Sequence, residues 1–269
     1  ELGHSMGEDG FGVIYKGKWM GTDARVRILK PKVGHDISRD DAVNMINDVV
    51  SSMRHPNLEM HLAVVQQDSS RMMMTVTELL PYSLAQVAPI LAKKPKNQVF
   101  TYRIRWGLEL SRALCYLHTS SPAIVVEDLR PSQVCLDEDL HLKIVDAGLK
   151  NEMRKRNLDS ARKELSVYAA PEVFLGTEAN ASADIYSYGM ILCFLLLGKD
   201  PPAQGADITV QQIRQSKQKG YEPLLELITQ CAQTERGRRP NANTCIKAME
   251  ELKNSSSKAA ASPNGCMVM

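Results

Sequence analysis

Asp128-Leu129-Arg130-Pro131, Asp146-Ala147-Gly148, Ala170-Pro171-Glu172, Asp184-Ile185-Tyr186-Ser187-Tyr188-Gly189 and Arg239-Pro240 stand in that order along a chain of 269 residues. Asp128 follows the segment 101–118, where Ile104, Leu108, Leu114 and Leu117 recur on one stripe with the small Ser111, the mark of a buried helix. Asp184 lies in 182–197, a stretch apolar nearly all round, as a central core helix would be. Asp128 and Asp146 fall in loops, where an aspartate either accepts backbone amide bonds or does chemistry. Both readings stay open on these residues alone.

Outward from these motifs the chain divides. Residues 12–17 and 24–29 read as strands separated by the turn Met20-Gly21-Thr22-Asp23, and 60–66 and 72–78 read as two more. Helical spacing of Val43, Ile46, Val50 and Met53 marks 41–53 as a helix, stopped by His55-Pro56-Asn57. After Pro81 the segments are helical, with amphipathic stretches at 211–217, 222–233 and 243–252. From Asn254 the residues are small and polar and read as a flexible tail. The expected architecture is α+β: a β-rich lobe with one main helix over 1–81, a larger helical lobe over 82–253, and a tail over 254–269.

Composition narrows the function. With 33 Lys+Arg against 31 Asp+Glu the net charge is +2, too small a field for a dedicated nucleic-acid binder. Apolar residues at 43% and charged ones at 24% fit a folded globular chain. The run 190–197 falls far short of the roughly 20 residues of a membrane span. No charged n-region with an apolar core opens the chain, so no signal peptide is expected. The opening at Glu1, without methionine, is read as a domain of a longer protein. Six scattered cysteines, with no Cys-x-x-Cys pair, point to a reducing, cytoplasmic setting.

A glycine cluster, Gly7-Glu8-Asp9-Gly10-Phe11-Gly12-Val13-Ile14, precedes the motifs. Glycines let backbone amides approach a phosphate, although a plain β-turn would serve as well. Taken in order with the motifs above, it resembles the protein kinase family over about 250 residues. Gly17-Lys18-Trp19 and the Asp184–Gly189 run look most like the tyrosine-kinase-like group that includes the Raf branch. The resemblance implies a bilobal kinase fold using ATP and magnesium. It places Gly7, Gly12, Ile14, Arg27, Thr77 (the gatekeeper position), Glu78 and Leu80 at the nucleotide. Asp128 matches the catalytic base and Arg130 takes the neighbouring lysine position. Asp146 and Gln133 match the metal residues, and Glu172, Asp184 and Arg239 the structural ones. The activation segment would run from Asp146 to Glu172, with hydroxyls at Ser160, Ser166 and Tyr168; Leu165 replaces its usual threonine.

The departures fall on catalysis. Asp9 replaces the middle glycine, and Arg27 the strand lysine, a substitution that is not conservative at such a site. Arg25 stands where the family places alanine against adenine, and would crowd that slot unless it faced solvent. Ile46 replaces the lysine's partner glutamate, and Asp48 lies too far around the helix to substitute. Ala147 replaces a phenylalanine, and Val126-Glu127 replaces His-Arg. Gln133 replaces an asparagine. Fold devices remain while catalytic devices change, the pattern of a pseudokinase acting as a signalling scaffold. A low-activity serine/threonine kinase is the competing expectation, and a regulatory module of a larger receptor a third. Expected partners are signalling proteins, among them another kinase in a kinase–kinase dimer. Cys266-Met267-Val268-Met269 matches a farnesylation box. A single lipid on Cys266 would give reversible contact with the cytoplasmic face of a membrane.

Overall fold

The computed structural model describes residues 1–9, 12–29, 53–67, 72–94, 96–127, 129–147, 166–202, 206–215 and 221–261. The expected helix at 41–53 thus lies almost wholly outside the described residues, as do Ile46, Asp48, Asp128, Ser160, Leu165 and Cys266.

Five antiparallel strands form the first sheet: β1 (Leu2–Asp9), β2 (Gly12–Trp19), β3 (Thr22–Leu29), β4 (His61–Gln67) and β5 (Met72–Glu78), in the order β1-β2-β3-β5-β4. Met20 and Gly21 both take positive φ, the two-residue turn that suits the strand twist of a hairpin. Period-2 alternation sorts β3 into two faces. Ala24 and Val26 pack with Val76 in the apolar core of the sheet, and Arg25 and Arg27 point the other way, into the cleft. At Gly12 a Cβ would run into the Ile28 carbonyl oxygen, so the close approach of β2 to β3 requires glycine there.

The second part is helical around a small sheet, β6 (Tyr82–Ser83), β7 (Val134–Leu136) and β8 (Leu142–Ile144). Its helices are α1 (Leu84–Leu91), α2 (Lys96–Thr119), α3 (Pro171–Phe174), α4 (Ala181–Leu197), α5 (Ala206–Gln215), α6 (Glu222–Cys231) and α7 (Ala242–Ala261). α4 runs through the core, buried from Ala183 to Leu196. Asn180 caps its start by accepting from the Ser182 and Ala183 amides, and Gly198 ends it in the left-handed conformation. Together the two parts form the bilobal α+β arrangement.

One expectation fails at the C-terminus. Residues 254–261, read as flexible tail, continue α7 to Ala261. An established helix gains a hydrogen bond for each residue added, so the residues after Leu252 extend it without an apolar stripe. Ser255 returns its hydroxyl to the Glu251 carbonyl at 2.8 Å.

Candidate functional site: a closed ion cluster in the cleft

Asp146 lies just past β8, and its backbone is left-handed, φ 57°. Aspartate tolerates this conformation better than most residues. Its amide donates to Glu59 Oε2 at 3.1 Å. Its carboxylate faces both β3 arginines. Arg27 grips it bidentately, with Nη2 2.6 Å from Oδ2, and Arg25 adds a second pair at 3.3 Å to each oxygen. Arg25 Nη1 also reaches Glu59 Oε1 at 3.0 Å. The Thr77 hydroxyl donates to that same oxygen at 2.7 Å. All four charged side chains are withdrawn from water, and their charges cancel.

Backbone pairing explains why Glu59 meets Asp146. The segment before β4 lies parallel to β8, with Glu59 N donating to Ile144 O at 2.9 Å and Ile144 N to Asn57 O at 3.0 Å. Asn57 Nδ2 adds a bond to Leu142 O. Glu59 was not among the residues singled out from sequence. Two arginines on one face of β3 call for two carboxylates, and Asp146 is one, but no local pattern names Glu59 as the other.

Burial opposes the charge on Arg25, but the carboxylates of Asp146 and Glu59 outweigh it and raise its pKa further. His61 borders the cluster, and burial lowers its pKa against the pull of Glu59 and Asp146. Its Nδ1 has no hydrogen-bond partner.

Other candidate residues fall around this core. Gly7 pairs with Ile14, and Asp9 with Gly12, across β1 and β2; Ile14 in turn pairs with Arg27. Gly7 has φ 142°, a backbone suited to glycine. Arg25 does face the cleft rather than solvent, but it is turned onto carboxylates. Glu78 is tied by its carboxylate to Lys143 at 2.7 Å and to the Met60 amide, and Leu80 is buried. Gln133 accepts from Val145 N through its carbonyl and donates its amide to Arg130 O, which brings both near Asp146.

Asp184 accepts from the amides of Val126 and Glu127 at 2.8 and 3.0 Å and meets His118 Nε2 at 2.9 Å. Glu127, like Asp146, is left-handed, φ 66°. Such backbones cost of order 1–3 kcal/mol and persist where surroundings fix them; here a carboxylate holds each amide. Arg239 makes a bidentate pair with Glu172 and lies over the Tyr186 ring.

Of the activation-segment hydroxyls, Ser166 and Tyr168 lie within the described residues. Ser166 is half-buried. Tyr168 is buried, donates its hydroxyl to Asp200 at 2.6 Å, and accepts from Ser187 through its carbonyl. Packing under the end of α4 and the residues after it, which no local pattern reveals, removes it from the surface. Among the described residues, no helix is long and apolar enough to cross a membrane, and no cluster of His, Cys, Asp and Glu has the make-up of a metal centre.

The family model for protein tyrosine and serine/threonine kinases matches residues 1–249. Serine/threonine-protein kinase 12 of Arabidopsis thaliana is 30% identical over 249 residues, covering 87% of this chain and 52% of its own length. Dual specificity protein kinase shkC of Dictyostelium discoideum is 27% identical over 261 residues, covering 92% and 50%. The chain thus spans about half the length of these relatives. The solved pseudokinase domain of BIR2, an immune regulator of the RLK/Pelle family, superposes with a TM-score of 0.73 at 20% identity, over 96% of this chain and 82% of that one, a likeness of fold. The order of elements, the cleft between the lobes and the family match agree: this chain belongs to the protein tyrosine and serine/threonine kinase family.

Proposed function

We propose that this domain is a pseudokinase, a signalling scaffold in which ATP-dependent phosphoryl transfer is absent. The observation that carries the reading is the double grip of Arg25 and Arg27 on Asp146. Kinase-family domains use magnesium and ATP, and the residues present do not fit that pair. An ionised carboxylate offers about four lone-pair positions. Both oxygens of Asp146 accept from both guanidiniums, so no position is left for a metal ion. Two buried cations beside it would also repel one. The cavity beside the cluster, lined by Leu58, Glu59, His61 and Asp146 among others, has a volume of about 10 Å³, room for about one water molecule. Signalling proteins, among them a second kinase-like domain, remain the proposed partners.

The test is thermal melting of the purified protein with ATP, in magnesium and separately in EDTA. Ligand at about 100 times its dissociation constant would raise the midpoint by about 5–10 °C at this size. The expected result is no shift at millimolar ATP under either condition. The second reading, a low-activity serine/threonine kinase, is favoured by the names of the curated relatives and by the cation retained at Arg27. A magnesium-dependent rise, with phosphate transfer abolished by Asp128→Asn, would establish that reading and overturn the first.

A further inference from the structure

We infer that Arg25, paired with Glu59, is a built-in counter-ion that stands in for bound magnesium: it completes the cleft around Asp146 without metal and keeps metal out. The inference rests on the scaffold reading and goes further, because it assigns the block to one removable side chain.

The four charges of the cluster balance as two guanidiniums and two carboxylates. None could be buried alone without a large desolvation cost. Within that balance the arginines are not equivalent. Arg27 is sunk under the sheet, its side chain 2% exposed, and it meets Asp146 at short range. Arg25 is 14% exposed, holds Asp146 more loosely at 3.3 Å, and spends its shorter bond on Glu59 at 3.0 Å. It therefore caps the outer side of the Asp146 carboxylate. Glu59 anchors it there, itself fixed by the Thr77 hydroxyl and the Asp146 amide.

Removal of Arg25 has a definite electrostatic consequence. Among the described residues, Arg27, Glu59 and Asp146 would remain with a net charge of −1, and the positions that Arg25 holds on Asp146 would be vacated. Such a site favours a small hard cation, which prefers carboxylate oxygen. Among the described residues, the charges of the native cluster cancel.

The experiment compares the wild type with Arg25→Ala and Arg25→Gln. The glutamine retains an N–H for Glu59 and guards against a fold lost through the alanine change. Each is melted in EDTA, in magnesium alone, in manganese alone, and in magnesium with ATP. The wild type is expected to melt at one temperature throughout. Both variants are expected to melt lower in EDTA and to recover by several degrees in either metal, with a further rise of about 5–10 °C on saturation with ATP. Folded variants, by circular dichroism, whose midpoints ignore metal would overturn the inference and leave the scaffold reading standing. Phosphate transfer by the wild type, assayed on the same samples, would instead overturn the scaffold reading.

Discussion

Arg239 donates from Nη1 and Nη2 to the two carboxylate oxygens of Glu172, at 2.7 and 2.8 Å, and so ties the start of α3 to the turn before α7. The same guanidinium donates to the carbonyls of Ser182, Thr234 and Gln233. Arg239→Ala would strand Glu172 and these carbonyls together. The expected loss is about 3–5 kcal/mol, read from urea unfolding. A loss below about 1 kcal/mol would show that the pair does little for the fold.

This pair also sets a pH dependence. Burial raises the Glu172 pKa, but the hydrogen bond and charge of Arg239 outweigh it and hold it below the ordinary 4.5. The unfolded chain then takes up the proton more readily, so stability rises with pH through this range. The contribution is present above pH 4.5 and is lost as acid carries the pH below that value. Stability measured against pH should fall less steeply on that acid side in Arg239→Ala than in the wild type. Parallel curves would count against the assignment.

Asp146→Asn tests the cluster by its effect on folding. The substitution removes one of two carboxylates facing two buried arginines and leaves an uncompensated charge, at an expected cost of about 3–5 kcal/mol. A loop aspartate held free for a metal ion would tolerate the same change with little loss, so an unchanged urea midpoint would contradict the ion cluster described here.

Tyr168→Phe removes a hydroxyl bonded to Asp200 in a buried setting. The expected cost is about 1–3 kcal/mol, since Asp200 loses a donor. Burial, followed by the bond to Asp200, also raises the phenol pKa well above its ordinary 10. Phosphate mapping after treatment of the folded protein with a tyrosine kinase should find Tyr168 unmodified. Stoichiometric modification there under native conditions would require the segment to open.

Gly12→Ala places a methyl group against the Ile28 carbonyl. Overpacking of this kind costs about 1–3 kcal/mol, and the loss should appear in nucleotide-free melting. A variant that melts like the wild type would remove the packing role given to this glycine.

The sequence carried the two faces of β3, because strand alternation puts Arg25 and Arg27 together whatever surrounds them. It carried the central helix as well, since few settings other than a core accept a segment as apolar as 182–197. Glu59 was illegible for a physical reason. It lies in an irregular segment with no periodicity, and it meets Asp146 only because Asn57 and Leu58 run alongside β8, more than eighty residues later in the chain. The burial of Tyr168 was illegible likewise: its neighbours read as a loop, and its partner Asp200 arrives from beyond α4. The end of α7 failed differently, since helix propagation leaves no amphipathic mark where one side is not packed.

The bonds that Asp184 accepts come from the peptide groups of Val126 and Glu127 and not from their side chains. Any residue except proline supplies such a group. The two bonds are therefore indifferent to spelling at these positions, and they can outlast a change in the chemistry of the side chains. What they cannot survive is a missing N–H. Proline at 126 or 127 would erase one of the two bonds, where any other residue leaves the donor in place.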